Sequence, residues 1–211
     1  MQSKLERRLL IRRPSIQGAP ALFLDRDGVV IEDQHHICDP KDVQLCPGAQ
    51  ELLQAATTRG WPVVVITNQS GIARGYFNWA AYASVTERVL ELLGPEAPLT
   101  AVYANGHGPD APSSSWRKPS PGMLIAASKD LKLDLSRSLL VGDRLSDLQA
   151  GARAGLHWLA HVETGHGHQE RAAVQSWYSL NRGPYGEAAE VDLAKLETLH
   201  DFPLQRLQPL L

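Results

Sequence analysis

The sequence has few cysteines. Its 211 residues include only Cys38 and Cys46. Two cysteines are too few for a disulfide-stabilised scaffold, and such sparse use is typical of proteins from a reducing compartment. We therefore expect two free thiols and a cytoplasmic protein.

A strong excess of one charge is also absent. Lysine and arginine number 21 against 23 aspartates and glutamates, which leaves a formal net charge of -2. The protein therefore has no overall positive electrostatic field that would favour nucleic acid as a partner. No apolar run reaches the roughly 18 residues that a membrane helix needs, so we expect no membrane partner either. We expect a monomer whose ligand selectivity comes from local residues.

The first twenty residues are basic but contain little else that is distinctive. An arginine-rich start is compatible with an organelle transit peptide or with a solvated arm. Glu6 and the scarcity of serine disfavour the transit peptide. We interpret residues 1–20 as a solvated basic arm.

What the sequence does contain is an alternation of short apolar runs and helical patterns. The runs that predict buried strands are 21–24, 63–66, 100–104, 138–141 and 156–160. The segments that predict helices are 49–58, 79–93, 120–131 and 146–154, with glycine or proline at most of their ends. This alternation predicts an α/β fold with three layers, a parallel Rossmann-like sheet covered by helices on both faces.

The domain organisation follows from the same pattern. Residues 21–165 are expected to form one domain. Residues 166–211 have a weaker pattern and are interpreted as a partly helical C-terminal extension packed on that domain.

Polar residues stand where three of the predicted strands end. Asp25, Thr67 and Asp143 follow or close apolar runs, and ligands bind at the carboxyl ends of parallel strands. Asp25 and Asp27 lie two residues apart, so their side chains share one side of an extended segment. One carboxylate can then attack phosphorus while the other donates and accepts the proton.

Other residues supply the charges that such a reaction needs. Asp143 with the Asp25–Asp27 pair makes an oxygen site that suits Mg²⁺. Lys118 would add a positive charge and Thr67 a hydroxyl donor. Alone, each has a simpler explanation as a solvated turn, a sheet residue or a surface charge. Their joint occurrence at successive strand ends favours catalysis.

The histidines are assigned no metal. His35, His36, His161, His166 and His168 have no acidic or cysteine partner at an evident spacing in the sequence. A flexible, glycine-flanked loop accounts for the ones after position 160.

Four segments carry a resemblance to a known family. They are FLDRDGVV at 23–30, VVVITNQSGIARG at 63–75, RKPSPGM at 117–123 and LLVGDRLSDLQAG at 139–151. Together they resemble the haloacid dehalogenase superfamily, over about 21–160. The second and third resemble the heptose bisphosphate phosphatases and their relatives, the histidinol-phosphate phosphatases.

The resemblance implies roles for the residues of the four segments. Asp25 would be the nucleophile, Asp27 the general acid and base, Thr67 the phosphoryl-binding hydroxyl and Lys118 the group that holds the phosphoryl. Mg²⁺ would be bound by Asp25, the backbone carbonyl of Asp27 and Asp143, and Asp147 would help to orient the last loop. The substrate contacts would be Asp33, His36, Asn68, Gln69, Ser70, Arg117 and Arg144.

Two further features are implied for the cover of the site and its loops. No large cap domain is expected, and Arg117 would bind a phosphate that is not cleaved. Relatives hold the loop before the Arg-Lys pair with a structural zinc bound mainly by cysteines, but residues 104–116 contain no cysteine. We expect no zinc, and a loop held by its own packing through Trp116.

The sequence leaves three functions open. The leading hypothesis is a Mg²⁺-dependent phosphatase acting through an aspartyl-phosphate on a small phosphorylated sugar, D-glycero-D-manno-heptose 1,7-bisphosphate. The second is a phosphatase for histidinol phosphate or another small metabolite. The third is a signalling receiver phosphorylated on aspartate, which would not need an acid at Asp27.

Overall fold

The computed structural model describes residues 4–12, 14 and 16–210. Within them the strands are β1 (Glu6–Leu10), β2 (Leu22–Leu24), β3 (Val63–Asn68), β4 (Ala101–Asn105), β5 (Leu139–Gly142), β6 (Trp158–Val162) and β7 (Asp192–Leu196). The helices are α1 (Ala49–Thr58), α2 (Trp79–Leu93), α3 (Gly122–Leu131), α4 (Leu145–Arg153) and α5 (Gly167–Asn181). Short 3-10 turns lie at Pro40–Asp42, Leu199–Asp201 and Leu204–Arg206.

All strands belong to one sheet, in the order β1-β4-β3-β2-β5-β6-β7. Every neighbouring pair is parallel except β1 with β4. The short apolar β2 is central, between β3 and β5, which is the position expected of a strand buried on both faces. The predicted α/β architecture is therefore confirmed.

Helices cover both faces because the side chains of each strand alternate. Leu22 and Leu24 contribute to a core that includes α1 and α2 residues. Phe23 points the other way, into a core with residues of α3, α4 and α5. The two apolar layers fix the sheet, and the strand ends stay free to carry polar groups.

The basic arm is not wholly solvated. Residues 6–10 form β1 and pair antiparallel with β4, from Glu6 opposite Asn105 to Leu10 opposite Ala101. The edge of β4 offers unpaired backbone groups, and β1 satisfies them. The parts of the predicted arm at 1–3, 13 and 15 lie outside the described residues.

The end of the chain contains a strand that the sequence pattern did not reveal. β7 pairs parallel with β6, and only Leu196 of its five residues is buried. The segment lacks the β-branched run that marks the inner strands, so its pairing depends on the exposed edge of β6. β6 itself lies two residues later than predicted, because 155–157 form the connection from α4.

Two other features bear on the sequence-based expectations. Cys38 and Cys46 are free, as expected. In the described part of the chain, no helix has the length and apolarity to cross a bilayer.

Candidate active site

The polar residues singled out from the sequence meet at one edge of the sheet. Asp25 follows β2, Thr67 lies near the end of β3, and Asp143 follows β5. Because β2 is hydrogen-bonded to both neighbours, their carboxyl ends are adjacent. The Asp25 amide donates to the Val141 carbonyl at 3.1 Å, which ties the end of β2 to β5.

A cavity of about 690 Å³ opens at this edge. All seven residues predicted to contact substrate line it, as do Asp25, Asp27 and Lys118, whereas Thr67 and Asp143 are not part of its wall. The charged and histidine side chains of the wall are Asp25, Arg26, Asp27, Asp33, His35, His36, Arg74, Arg117, Lys118, Arg144, Asp147 and His166.

Three buried carboxylates form a cluster at the site, and two of them, Asp25 and Asp147, line the cavity. One oxygen from each of Asp25, Asp143 and Asp147 lies within 4.8 Å of the others. Burial raises the pKa of Asp143 to about 9, and the Asp147 and Asp25 carboxylates add to the effect. Burial also raises the pKa of Asp25 to about 7, although Lys118 opposes it.

These carboxylates fit a divalent cation. Asp143 has no exposed surface; its Oδ2 accepts the His166 amide at 2.8 Å, but its Oδ1 has no hydrogen-bond partner. A buried carboxylate oxygen without a donor is costly unless a cation faces it. Carboxylate oxygens at this spacing are the ligands that Mg²⁺ prefers. The Asp27 side chain is not part of this cluster, so its role as a ligand rests on its backbone carbonyl.

Lys118 supplies the positive charge inside the cluster. Its Nζ lies 2.7 Å from Asp25 Oδ1 and 2.6 Å from Asp147 Oδ1, and donates to the Ile66 carbonyl at 3.0 Å. Burial alone would lower the pKa of Lys118, but Asp147 and Asp25 raise it overall. Asp147 also accepts the Arg144 amide at 3.0 Å, so one carboxylate caps α4 and holds the lysine.

Asn68 and Gln69 line the cavity but are largely engaged with other site residues. Asn68 Oδ1 accepts the Lys118 amide at 3.1 Å, and its Nδ2 donates to the Lys118 carbonyl at 3.2 Å. Gln69 Nε2 donates to Asp27 Oδ2 at 2.7 Å and to Thr67 Oγ1 at 2.8 Å. Both amides therefore position catalytic candidates in addition to any contact with substrate.

Arg26 was missed by the sequence analysis. Its Nη2 donates to both Asp27 oxygens, at 2.8 and 3.1 Å, and to Gln69 Oε1 at 3.1 Å. The guanidinium is 5.3 Å from the centroid of the Tyr82 ring, and the residue is buried. Its place between the two acids of DRDG was a signal, but charged residues in turns are usually solvated.

Three arginines, Arg74, Arg117 and Arg144, line the same cavity. Burial lowers the pKa of Arg117, and the charges of Arg74 and Arg144 lower it further. The Arg117 Nη1 donates to the His107 carbonyl at 3.1 Å. Arg74 stands in the quoted GIARG segment but was not singled out. Three neighbouring cations attract a multiply charged anion.

The 33–36 loop contacts the C-terminal part of the chain. Asp33 Oδ2 lies 2.8 Å from His166 Nε2 and 3.7 Å from the Arg144 guanidinium. Possible ligand atoms of Asp33, His35 and His166 lie within 4.8 Å of one another, so the fold gives these histidines an acidic neighbour that no sequence spacing had indicated. Residues more than 130 positions apart meet only through the fold. His36 instead faces Tyr76, with ring centroids 5.0 Å apart.

The loop that precedes Arg117 is held by packing and by β1. The Trp116 ring lies 5.6 Å from Tyr103, which agrees with the expected role of Trp116. Its amide donates to Glu6 Oε1 at 2.9 Å, a contact that the sequence did not suggest. The pairing of β1 with β4 brings that carboxylate to the loop.

Comparisons with known proteins agree with this geometry. Residues 4–155 match the haloacid dehalogenase-like hydrolases. D-glycero-beta-D-manno-heptose-1,7-bisphosphate 7-phosphatase of Mesorhizobium japonicum is 47% identical over 191 residues, covering 85% of this chain and 83% of the relative. D-glycero-alpha-D-manno-heptose-1,7-bisphosphate 7-phosphatase of Burkholderia mallei is 41% identical over 143 residues, covering 64% of this chain and 76% of the relative.

A solved structure extends the comparison. The D,D-heptose 1,7-bisphosphate phosphatase of B. bronchiseptica, complexed with magnesium and phosphate, has a TM-score of 0.70 and 32% identity. The match covers 85% of this chain and 93% of the chain in that structure. The chain described here therefore belongs to the haloacid dehalogenase-like hydrolases and is a phosphatase.

Proposed function

We propose that this phosphatase removes the 7-phosphate of D-glycero-D-manno-heptose 1,7-bisphosphate in a Mg²⁺-dependent reaction. The observation that carries the proposal is the presence of two anion-binding groups in one cavity: Lys118 beside Asp25, and the Arg74–Arg117–Arg144 group. A sugar with two phosphates can use both. The names of the relatives support this choice of substrate.

The chemistry divides between the two acids of the DRDG turn (residues 25–28). An Asp25 oxygen attacks phosphorus, the bond from phosphorus to the sugar oxygen breaks, and Asp27 gives that oxygen its proton. Asp27 then takes a proton from water, which attacks the aspartyl-phosphate and breaks its bond to Asp25. Inorganic phosphate leaves, and both carboxyl groups return to their starting state.

The surrounding side chains keep these groups in place. Arg26 and Gln69 hold the Asp27 carboxyl group from two sides. Lys118 contacts Asp25 and is positioned to meet the phosphoryl oxygens. Thr67 is fully buried beneath them, and its hydroxyl accepts from Gln69. Fixed donors of this kind stabilise the charge that develops on the phosphoryl group.

Asp25, Asp143 and the backbone carbonyl of Asp27 are the residues that would hold Mg²⁺. When bound, the ion neutralises the repulsion between the phosphate and the carboxylates. The Asp143 oxygen that lacks a hydrogen bond is the observation that favours this set.

The arginine group also separates the two phosphatase hypotheses. Histidinol phosphate has a single phosphate with a protonated amine on the neighbouring carbon and an imidazole at its opposite end, so it offers the three guanidinium groups no second anion. A second phosphate is attracted by the same group. The signalling receiver is disfavoured by the large cavity and by the position of Asp27.

The test is phosphate release from both anomers of the heptose bisphosphate and from histidinol phosphate, with Mg²⁺ and with chelator. We expect Mg²⁺-dependent turnover of a bisphosphate and a loss of at least about a thousandfold in Asp25→Asn. Glu87→Gln, which changes an exposed acid of α2 in the same way, should retain full activity.

Each contrary result has a defined meaning. Turnover of histidinol phosphate alone would refute the proposed substrate and leave the mechanism intact. Full activity of Asp25→Asn would refute the mechanism. A stable phosphoaspartate without phosphate release would favour the receiver.

A further inference from the structure

We propose that Glu6 of β1 is a positioning residue for Arg117, acting through the loop formed by residues 105–117. The inference rests on the proposed function, because it takes Arg117 as the contact for the second phosphate. It assigns to the N-terminal strand a part in substrate selection.

Glu6 is the only buried residue of β1, and a buried carboxylate needs partners. Its Oε1 accepts the Trp116 amide at 2.9 Å and lies 3.9 Å from His107 Nε2. These two residues lie near the two ends of the 105–117 loop. One carboxylate therefore connects the start of the loop with its end.

Both contacts lead directly to Arg117. Trp116 precedes it in the chain, so the Glu6–Trp116 bond fixes the backbone from which Arg117 projects. The His107 carbonyl accepts a hydrogen bond from the Arg117 guanidinium at 3.1 Å. Glu6 thus constrains the backbone of Arg117 on one side and the acceptor of its side chain on the other.

The pairing register of β1 with β4 places Glu6 beside the start of the 105–117 loop. Glu6 lies opposite Asn105, the last residue of β4, where the loop begins. The next residue, Gly106, donates its amide to the Leu5 carbonyl at 2.6 Å and so extends the pairing into the loop. A slip of one residue would turn Glu6 to the other face of the sheet.

Lys118 does not depend on Glu6 in the same way. Asn68 holds both its backbone amide and its carbonyl, and Asp25 and Asp147 hold its ammonium group. Loss of Glu6 should therefore loosen Arg117 and leave Lys118 in place. We therefore expect the loss of Glu6 to weaken the binding of a substrate with two phosphates more than that of a substrate with one.

The experiment compares Glu6→Ala and Glu6→Gln in the full chain with the heptose bisphosphate and with p-nitrophenyl phosphate, which has no second phosphate. For Glu6→Ala we expect KM for the bisphosphate to rise about tenfold, and kcat/KM for p-nitrophenyl phosphate to stay within about twofold. Glu6→Gln keeps an oxygen acceptor and should show a smaller rise.

Arg8→Gln is the matched control. Arg8 projects from the same face of β1 but forms its ion pair with Asp130 of α3, at 2.7 Å, and not with His107 or the Trp116 amide. Arg8→Gln should leave the ratio of kcat/KM for the heptose bisphosphate to kcat/KM for p-nitrophenyl phosphate unchanged. An equal loss on both substrates in Glu6→Ala, or the same change of ratio in Arg8→Gln, would overturn the inference.

Hydrogen exchange of the Trp116 amide tests the contact without any substrate. We expect exchange about tenfold faster in Glu6→Ala than in the wild type, and a smaller increase in Glu6→Gln, which keeps an oxygen acceptor. Unchanged exchange in both would refute the positioning role. A wild type without bisphosphatase activity would refute the proposed function alone, and the exchange result would then decide the role of Glu6.

Discussion

Lys118 carries one positive charge between the buried carboxylates of Asp25 and Asp147, and Asp143 adds a third acid to the same cluster. In the absence of a cation, this cluster lowers its charge by keeping a proton. That is why burial and mutual repulsion raise the pKa of Asp143 to about 9. A bound cation would compete with the proton for the same oxygens.

The prediction at the residue scale concerns the thermal stability of the protein in the presence of a chelator. Between its ordinary pKa and about 9, Asp143 binds a proton in the folded state that the unfolded chain releases. The free energy of unfolding therefore falls as pH rises through this window. We expect Tm in chelator to fall by roughly 5 °C from about pH 6 to about pH 9, and Mg²⁺ to restore more at the higher pH.

Thermal unfolding of two variants checks the assignment. Asp143→Asn should flatten the decline and remove the effect of Mg²⁺. Asp134→Asn should keep the fall of Tm with pH and the effect of Mg²⁺ on Tm. Hydrogen bonds from Ser136 and Arg137 lower the pKa of Asp134 and so move its titration away from the range between about pH 6 and about pH 9. A decline that persists in Asp143→Asn would assign it to another group.

At the scale of elements, the loop of residues 163–166 packs against the DRDG turn. A Cβ on Gly165 would lie 2.5 Å from both Gly28 Cα and Asp143 Oδ2. The Thr164 hydroxyl donates to the Gly28 carbonyl, and the His166 amide donates to Asp143. The connection between β6 and α5 therefore packs against the acidic cluster that we propose as the Mg²⁺ site.

The prediction at this scale is that Gly165→Ala displaces the loop from Asp143. We expect kcat/KM to fall about a hundredfold, because small displacements of catalytic groups have large effects on rate. The stabilisation of the protein by Mg²⁺ should also be lost. Phosphate-release kinetics and thermal unfolding with and without Mg²⁺ measure the two effects.

Gly155→Ala separates this clash from backbone strain. Gly155 also has a positive φ, +82°, but a Cβ there would meet nothing within 4 Å. Its substitution should lower the free energy of unfolding by about 1–2 kcal/mol and leave activity unchanged. Equal activities of the two variants would contradict the role of the 163–166 loop.

At the scale of the whole molecule, the site and one aromatic part of the core lie at opposite ends of the strands. Trp158 begins β6, and its ring meets that of Phe202 edge-on at 5.3 Å. Both are buried in the core that includes α1 and α2 residues. The candidate catalytic groups lie at the other ends of the strands, so stability and activity should be separable.

Phe202→Ala is expected to show this separation. Removing a buried aromatic ring should lower the free energy of unfolding by about 3 kcal/mol. At room temperature kcat and KM should remain within about twofold of the wild type, provided that the variant is still folded. Leu204→Ala, at a side chain that is 40% exposed, serves as the control with little loss of stability. A large fall of kcat in folded Phe202→Ala would contradict the separation.

Much of the inner architecture follows from the sequence alone. Helices α1 and α2 begin and end where glycine, proline and apolar spacing predict, and β2 to β5 lie within one or two residues of their expected positions. Asp25 and Asp27 were recognisable because chemistry requires two acids at a spacing that a strand end provides. These features depend on residues close together in the chain, so backbone preferences and apolar spacing are enough to predict them.

Only the tertiary structure determined the outer elements and the supporting contacts. β1 and β7 have weak patterns of their own and form because the edges of β4 and β6 leave backbone groups to be paired. Arg26 looks solvated in the sequence but is buried against Tyr82 and Asp27, and Glu6 reaches Trp116 across 110 residues. These contacts depend on which segments the sheet brings together, and sequence spacing contains no information on that proximity.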